Sequence, residues 1–417
     1  MASRRALVIG GSIAGLLAAN GLRAIGWEAT VFERAAGDLH SRGAGLGTHR
    51  ELVAVLERLG LPVDASVGVE VQTRICLDRA GRVTHRLAMP QRMSAWARIY
   101  RLLKDALPAA RYRPGMDLVR VDQDLQGVTA TFRDGTREHA DLLVAADGIR
   151  STVRTQLLPE VEPRYAGYIA WRGLVDESAF PQDVHDEIFE HYAFCLPPGE
   201  IMLSYPVPGR NDETTPGRRG YNHIWYRPLA LDGVRALCTD AGGQCHGLAI
   251  PPPFIRPEII ADMRSQARDT LAPQIAALVQ RTEQPFFQAI FDLESPRMAL
   301  GRVALAGDAA YVARPHVGMG VTKAALDAVS LIDALDAARG DVIEALRRYD
   351  ARQRPFGAAI VAQARRMGAY LEAQLKSPEE RGDVEREHRP EVVMRTIGSP
   401  LVDLQALRRQ NPLSSGR

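Results

Sequence analysis

ALVIGGSIAGLLAANGL, residues 6–22, joins an apolar run to a glycine-rich turn and then to a series of helix-forming residues. The apolar run, Ala6–Ile9, is typical of a strand buried on both faces of a parallel sheet. The helix that follows the turn should end at Gly26. A second strand, Glu28–Glu33, comes next and ends in an acid. The sequence therefore predicts one strand–helix–strand unit within about thirty residues.

The turn matches the dinucleotide fingerprint G-x-G-x-x-G except at its second glycine, where Ser12 stands. Gly10 permits the tight turn, and Gly15 lets the helix pack closely on the strand. We expect Ser12, Ile13 and Ala14 to lie at the helix N-terminus, where unpaired N–H groups bind a pyrophosphate. The Ser12 hydroxyl then either caps the helix or contacts a phosphate. The structural alternative is a glycine-rich turn without a ligand.

The acid that ends the second strand indicates which nucleotide fits. Glu33 lies 18 residues after Gly15, about where an acid accepts hydrogen bonds from a ribose. A 2′-phosphate on that ribose would be repelled by the carboxylate, so NADP is a poor occupant of this first site. We predict that Glu33 and its neighbour Arg34 bind the adenosine half of a nucleotide.

Two later stretches have the same strand-to-turn character. DLLVAADGIRSTVR, residues 141–154, is an apolar strand followed by Asp147-Gly148 and a basic helix start. GRVALAGDAAYVARPHVGMG, residues 301–320, is a strand that ends in Gly307-Asp308. A loop then leads to Gly318-Met319-Gly320 at the start of another apolar helix. Each stretch adds a turn at the end of a predicted strand, where open α/β sheets bind ligands.

In this order and at these separations, the three motifs are similar to those of the single-component FAD-dependent aromatic hydroxylases, the para-hydroxybenzoate hydroxylase-like flavoproteins. Further segments resemble the 2,6-dihydroxypyridine 3-hydroxylase branch of that family: AWRG (170–173), YPVPG (205–209), NHIWYR (222–227) and RPHVGMG (314–320). The resemblance covers the chain to about Asp350. It implies an α/β fold: a Rossmann-like FAD-binding domain, an inserted antiparallel β-sheet that forms the substrate pocket, and a C-terminal helical segment.

The resemblance also implies site roles. The first turn binds the ADP moiety, Asp147-Gly148 serves the pyrophosphates of FAD and NAD(P)H, and Asp308 binds the ribityl chain. Backbone N–H groups of Gly318-Met319-Gly320 favour electron density at the flavin N1–C2=O edge. The chain departs from the family at Trp96, where many relatives carry an arginine that contacts FAD.

The implied activity is that of an oxidoreductase. In this family NADH or NADPH reduces the bound FAD, O2 adds at C4a, and the flavin hydroperoxide transfers oxygen to an electron-rich ring such as a hydroxypyridine or a phenol. His316 and Pro315 are the catalytic candidates; the alternative for His316 is a structural bond to a neighbouring carbonyl. Tyr205, His223 and Trp225 are candidate substrate contacts, with a role in the sheet core as the alternative. Strand alternation puts His223 and Trp225 on one face but leaves open which face lines the pocket.

Other functions of the same fold stay open. An epoxidase or an oxidative decarboxylase would use the same motifs, whereas a flavin-dependent halogenase would need a W-x-W-x-I-P stretch that the sequence lacks. A non-catalytic nucleotide-binding protein is the alternative from another class, and the intact RPHVGMG loop argues against it.

The composition of the chain gives no support for a nucleic-acid partner, a membrane or a metal site. The 417 residues carry a formal net charge of +2, which gives no support for a nucleic-acid or membrane partner. No apolar run approaches the ~20 residues that span a bilayer. The four cysteines are scattered and the histidines lack metal-site spacing, so we expect reduced thiols, a cytoplasmic location and no metal.

The motif order predicts a discontinuous domain organisation. The C-terminal helical tail either packs on the flavin domain or forms a dimer contact, and the sequence leaves this open. The predicted units are an FAD-binding domain of residues 1–75, 95–165 and 286–350, a substrate-binding sheet domain of residues 76–94 and 166–285, and a tail of residues 351–417.

Overall fold

The computed structural model describes residues 4–39 and 45–399. Its strands, in chain order, are β1 (Arg5–Ile9), β2 (Glu28–Glu33), β3 (Gly45–Thr48), β4 (Val69–Leu77), β5 (Val83–Ala95), β6 (Tyr112–Pro114), β7 (Leu118–Gln123), β8 (Val128–Phe132), β9 (Arg137–Ala140), β10 (Leu142–Ala145), β11 (Arg164–Asp176), β12 (His191–Cys195), β13 (Ile201–Val207), β14 (Gly220–Pro228), β15 (Phe286–Glu294), β16 (Ala299–Leu300), β17 (Val303–Leu305) and β18 (Tyr311–Val312). Its helices are α1 (Ile13–Ala24), α2 (Arg50–Arg58), α3 (Trp96–Asp105), α4 (Thr152–Leu157), α5 (Gln182–Ile188), α6 (Leu231–Leu237), α7 (Pro257–Thr270), α8 (Pro273–Arg281), α9 (Gly320–Ala337), α10 (Val342–Met367), α11 (Ala369–Ala373) and α12 (Pro390–Thr396).

A six-stranded sheet in the order β16-β17-β10-β1-β2-β6 forms the centre of the nucleotide-binding half. All its neighbours pair in parallel except β16 and β17. Ile9 lies opposite both Phe32 and Ala145, and Ala145 lies opposite Leu305. The carboxyl ends of β1, β2, β10 and β17 therefore meet at one edge of the sheet, which is where ligands bind in such folds.

The predicted strand–helix–strand unit is confirmed, and the close packing around its turn explains the glycines. Gly10 has a φ of 103°, a conformation that side chains with a Cβ rarely adopt. A Cβ on Gly15 would lie 1.9 Å from the carbonyl oxygen of Gly10. In this turn two backbone segments are in direct contact, so only glycine fits at positions 10 and 15.

A nine-stranded, mainly antiparallel sheet in the order β18-β15-β11-β14-β13-β12-β4-β5-β3 forms the second half. One face packs on α5 to α8 through residues such as Trp171 and Trp225. The opposite face, with Tyr168 and Leu203, turns toward the nucleotide-binding half and also receives residues of α10 and α12. A three-stranded sheet, β7-β8-β9, joins the core of the first half.

The predicted domain boundaries cut through elements of the structure. The boundary at residues 75/76 falls inside β4, the boundary at 165/166 inside β11, and the boundary at 350/351 inside α10. Since β3 and β4 both pair with β5, their residues belong to the nine-stranded sheet and not to the nucleotide-binding half. The part of the tail that the structure describes packs on this same chain, because α10 contacts α9 and β15.

The helices were compared with the length and apolar character of a membrane-spanning segment. Within residues 4–39 and 45–399, no helix combines the length and the apolar character needed to cross a bilayer. The four cysteines are free thiols, three of them buried.

Gly15→Ala should destabilise the protein. The new Cβ overlaps the Gly10 carbonyl, and forced overpacking of this kind costs about 1–3 kcal/mol. We expect a lower apparent melting temperature in calorimetry. Gly37→Ala is the matched control, because a Cβ at Gly37 meets no atom within 4 Å. Equal melting temperatures for the two variants would contradict the packing argument.

Candidate active site

Two connected cavities lie between the carboxyl edge of the six-stranded sheet and the inner face of the nine-stranded sheet. The first is a groove of about 1020 Å³, and the second is a chamber of about 400 Å³. They form one elongated space, because both are lined by Ser12, Gly148, Asp308 and Pro315. The three strand-end turns of the sequence analysis therefore open onto the same space.

At the far end of the groove, the acid of β2 is fixed by backbone donors. Glu33 is buried, and its two carboxylate oxygens accept the N–H groups of Gly11 at 2.7 Å and Ala35 at 2.8 Å. Glu33 and the exposed Arg34 both line the groove. This holds a carboxylate rigidly at the position that was predicted for a ribose contact.

The N-terminus of α1 lies at the junction of groove and chamber. Ser12 occupies the N-cap position but its side chain makes no capping hydrogen bond. Of the two roles considered for the Ser12 hydroxyl, capping is therefore wrong. Ser12, Ile13 and Ala14 line the chamber, so the unpaired N–H groups of the first helical turn lie beside this space.

The turn after β10 supplies a second acid. Asp147 accepts the N–H of Thr152 at 2.8 Å through Oδ2, while its buried Oδ1 has no partner in the described part of the chain. Burial raises the pKa of Asp147. A Cβ on the neighbouring Gly148 would meet nothing within 4 Å, so the backbone of Gly148 borders open space.

The turn after β17 is held by a buried ion pair that sequence reasoning missed. Lys323 and Asp327, one turn apart on α9, are 3.5 Å from each other and almost fully buried. The Lys323 ammonium donates to the Gly307 carbonyl at 2.7 Å, and Asp327 accepts the Gly307 N–H at 2.9 Å. Asp308 is thereby directed into the space between the sheets, where it is open to the cavity yet surrounded by protein. Burial raises the pKa of Asp308, and the charge of Lys323 opposes this effect.

The start of α9 forms one wall of the chamber. Gly318 has a left-handed φ of 64°, and a Cβ on Gly320 would enter open space. Both glycines line the chamber, whereas the Met319 side chain is buried in the core behind them. Met319 can therefore offer only its backbone to a ligand.

These features fit FAD. The elongated space has a helix N-terminus at α1 and another at α9, and each favours negative charge. Two acids, Glu33 and Asp308, lie apart along it as acceptors for hydroxyl groups, and the buried Oδ1 of Asp147 lacks a partner beside it. Glycines at the wall give a flat ring room to approach the backbone.

Trp96 gives this part of the site an aromatic surface. It begins α3, lines both cavities and stacks on Tyr100 with ring centroids 5.0 Å apart. The neighbouring Arg98 and Arg101 line neither cavity, and both pair with Asp212 of the β13–β14 loop.

His316 does not reach either cavity, which corrects its predicted role as a catalytic group. The side chain is fully buried, its Nε2 is hydrogen-bonded to the Tyr168 hydroxyl at 2.8 Å, and its ring packs on Tyr226. Burial, with a contribution from Arg314, lowers the pKa of His316 to about 3, so the imidazole is neutral. Pro315, by contrast, lines both cavities.

The inner face of the nine-stranded sheet carries the even-numbered residues of β14. Tyr205, Ile224 and Tyr226 line the chamber. His223 and Trp225 point to the opposite face, where His223 is hydrogen-bonded to Thr282 and Trp225 packs among the helices. Their prediction as substrate contacts is therefore wrong, whereas Tyr205 lies where it was expected.

A C-terminal strap, residues 390–399, contributes part of the chamber wall. The fully buried Arg74 on β4 donates to the carbonyls of Met394 and Ile397, both at 2.7 Å. Gly398 donates to the His316 carbonyl at 2.8 Å, and its own carbonyl accepts from Gln91. Ile397 and Gly398 line the chamber, so Arg74 fixes part of its wall.

Outside the cavities, Glu177, His185 and Glu190 bring three potential metal ligands together. The Arg219 guanidinium donates to both carboxylates, and His185 Nε2 lies 2.9 Å from Glu177. A positive charge of the protein itself thus occupies this cluster, which we read as structural.

The fold and the groove define a flavin-dependent oxidoreductase in which an inserted sheet covers the nucleotide-binding half. The chain belongs to the FAD binding domain family, whose model matches residues 4–216 and 269–364. A further model, described as FAD binding domain-like, matches residues 165–292.

Curated relatives and a solved structure agree with this assignment. The chain is 31% identical over 373 residues to 2,6-dihydroxypyridine 3-monooxygenase of Paenarthrobacter nicotinovorans, covering 88% of this chain and 91% of that protein. It is 31% identical to 3-amino-4-hydroxybenzoate 2-monooxygenase of Streptomyces cremeus, and the match covers 87% of this chain and 86% of that protein. The solved structure of 2,6-dihydroxypyridine-3-hydroxylase from Arthrobacter nicotinovorans superposes on this chain with a TM-score of 0.82 at 30% sequence identity. The superposition covers 89% of this chain and 93% of that structure. The prediction of an FAD-dependent aromatic monooxygenase is confirmed.

Asp327→Asn should weaken both the fold and FAD retention. The substitution leaves Lys323 buried without its counter-charge, a change that costs about 3–5 kcal/mol. We expect a lower melting temperature and a lower flavin-to-protein absorbance ratio after gel filtration. Asp333→Asn is the control on the same helix, because it removes only partly exposed pairs, with Arg58 and Arg352. Similar losses in both variants would contradict the role of the buried pair.

Arg74→Met should loosen the C-terminal strap. Two hydrogen bonds from a charged donor are lost, each about 1.5–3 kcal/mol, so the Gly398 amide should exchange with solvent at least about tenfold faster. Hydrogen-exchange mass spectrometry measures this. Arg92→Met on the adjacent β5 is the control, because Arg92 pairs with the exposed Glu70. Unchanged exchange in Arg74→Met would overturn the anchoring role.

Proposed function

We propose that this chain hydroxylates an electron-rich aromatic ring that carries a hydroxyl group, a hydroxypyridine or a phenol, with NADH or NADPH and O2 as co-substrates. The observation that carries the proposal is the chamber of about 400 Å³ between the start of α9 and the aromatic inner face of the nine-stranded sheet. The sheet side of the chamber is mainly apolar and aromatic, with Leu203, Ile224 and Phe286 beside the tyrosines, which suits an aromatic ring. Bound FAD supplies the electron transfer and the activation of oxygen.

The residues of the chain would bind FAD and orient it. We propose that Gly10, Ser12, Gly15, Glu33 and Arg34 hold the adenosine and pyrophosphate half of FAD, together with Asp147-Gly148. Asp308 accepts hydrogen bonds from the ribityl chain, and the backbone of Gly318-Met319-Gly320 holds the flavin edge.

The chamber walls would position the substrate ring. Pro315 shapes the wall next to the flavin, and Tyr205 and Tyr226 face it from the sheet. Burial raises the pKa of both tyrosines, so their hydroxyls stay protonated at neutral pH and are able to donate hydrogen bonds. The neutral His316 supports this wall from behind through Tyr168. A homodimer and a cytoplasmic location stay predictions from the sequence.

The purified protein tests the proposal directly. We expect flavin absorption bands and NAD(P)H oxidation that hydroxypyridines, phenols or polyketide-type phenols stimulate, with a hydroxylated product identified by mass spectrometry. Stimulated oxidation that yields only hydrogen peroxide, or products of epoxidation or decarboxylation, would contradict ring hydroxylation. A colourless protein that FAD does not reconstitute would favour a nucleotide-binding module.

Asp308→Ala should impair FAD retention far more than His316→Ala. Asp308 lines both cavities, whereas His316 is buried behind the chamber wall. The flavin content of the two purified variants and the parent, measured by absorbance, checks this. Comparable contents in all three proteins would contradict the assignment of Asp308.

A further inference from the structure

Helix α3 makes different contacts on its two faces. Trp96 and Tyr100, four residues apart, stack on each other and pack against the core of the nucleotide-binding half. The Trp96 ring also lines both cavities. Helical spacing puts Arg98 and Arg101 on the opposite face of α3. The position of this helix therefore sets where the Trp96 ring lies in the candidate active site.

The arginine face of α3 is bound by the loop between β13 and β14. Asp212 of this loop accepts from Arg98 at 3.3 Å through Oδ2 and from Arg101 at 2.6 Å through Oδ1. Only 14% of the Asp212 side chain is exposed. The other terminal nitrogen of Arg98 donates to the Ser66 hydroxyl at 2.6 Å, so this guanidinium is held from two sides. One carboxylate thus joins the nine-stranded sheet to α3 through two charge-assisted hydrogen bonds.

The backbone that presents this carboxylate is strained. Asn211 and Asp212 both have a left-handed conformation, with φ of 56° and 64°. Residues with a Cβ rarely adopt it, although Asn and Asp tolerate it best. Two such residues in succession are unfavourable and persist where surrounding contacts enforce them, as at clamps and switch regions. The bonds from two arginines to Asp212 supply such contacts.

The start of α3 is attached to the same sheet at a second point. Gly45 on β3 pairs with Ala95, the residue that precedes the helix. The Gly45 N–H donates to the Asn222 side chain on β14 at 3.1 Å. Trp96 therefore lies between two attachments to the β13–β14 hairpin, the Gly45 contact before it and the Asp212 contact after it.

We propose that Asp212 is a positioning residue, which anchors the inserted sheet to α3 and thereby fixes the Trp96 ring against the flavin. Without the carboxylate, α3 keeps the Gly45 contact but loses the ion pairs that resist rotation of the helix about its axis. The aromatic ring on its other face then loses its fixed position. This inference goes beyond the proposed function, because it concerns the flavin site and holds for any ring that the chamber accepts.

Flavin fluorescence of the oxidised, FAD-loaded protein tests the anchor without turnover. An indole in contact with a flavin quenches its emission, so Trp96→Phe should raise the emission per bound flavin severalfold and sets the scale. Asp212→Asn suits the left-handed backbone but lacks the charge, and should produce a large part of that increase. Gel filtration removes free FAD, and slow anisotropy decay identifies the emission of bound flavin.

Removing the partner arginine provides the same test if Asp212→Asn does not fold. Arg101→Met should raise the emission as Asp212→Asn does. The double variant should show no further increase, because both changes remove the same interaction. A role of Asp212 in stability alone would lower the melting temperature without this spectroscopic change.

Two variants of the same loop are the controls. Glu213→Gln removes the adjacent acid, which lies 3.8 Å from the exposed Arg218, and should leave the emission unchanged. Asn211→Gly relaxes the strained backbone but keeps the Asp212 carboxylate. It should leave the emission unchanged and the melting temperature equal or higher.

The outcomes separate this inference from the proposed function. Emission at the parent level in both Asp212→Asn and Arg101→Met, with the increase seen in Trp96→Phe, would overturn the anchor. Parent-level emission in Trp96→Phe itself would overturn the placement of this ring against the flavin, and the inference with it. Neither result bears on ring hydroxylation, which is judged by its product.

Discussion

The parallel register of β1, β2, β10 and β17 is the constraint on which the site depends. Because these strands end at one edge, three turns that are far apart in the sequence open onto one elongated space. The backbone must pass very close to itself there, as the overlap of a Cβ on Gly15 with the Gly10 carbonyl shows. A shift in the register would separate the acids of the turns from the helix N-termini, and no groove of this length would form.

Much of the nucleotide-binding half could be predicted from the sequence, because its signals are local. The observed limits of β2, Glu28–Glu33, are those predicted, and α9 begins at Gly320, within the segment 318–320 that was predicted for its start. The face of β14 that lines the chamber could not be predicted. Alternation divides a strand into two faces but does not show which one helices cover, so the candidates on β14, His223 and Trp225, proved to lie on the helix-covered face. His316 was misplaced for a related reason, since a loop position does not show whether a side chain points into the cavity or behind it.

The residues that reasoning missed depend on distant contacts. Arg74 directly precedes the apolar Ile75 in β4, and a charge beside a buried apolar run is the signal that could have drawn attention to it. Its partners could not be read from the chain, because the Met394 carbonyl that Arg74 binds is 320 residues away. Lys323 and Asp327 are one helical turn apart, a spacing that usually indicates an exposed pair. Only the packing of α9 against the Gly307 turn shows that they are buried.

The strap has a consequence for how the enzyme is made. Residues 390–399 leave the ribosome after every other element that lines the chamber, and domains form largely in order of synthesis. The nucleotide-binding half can thus assemble around its prosthetic group while one side of the chamber is still open to water. Completion of the chamber wall by Ile397 and Gly398 therefore depends on residues that are synthesised after all the others that line it.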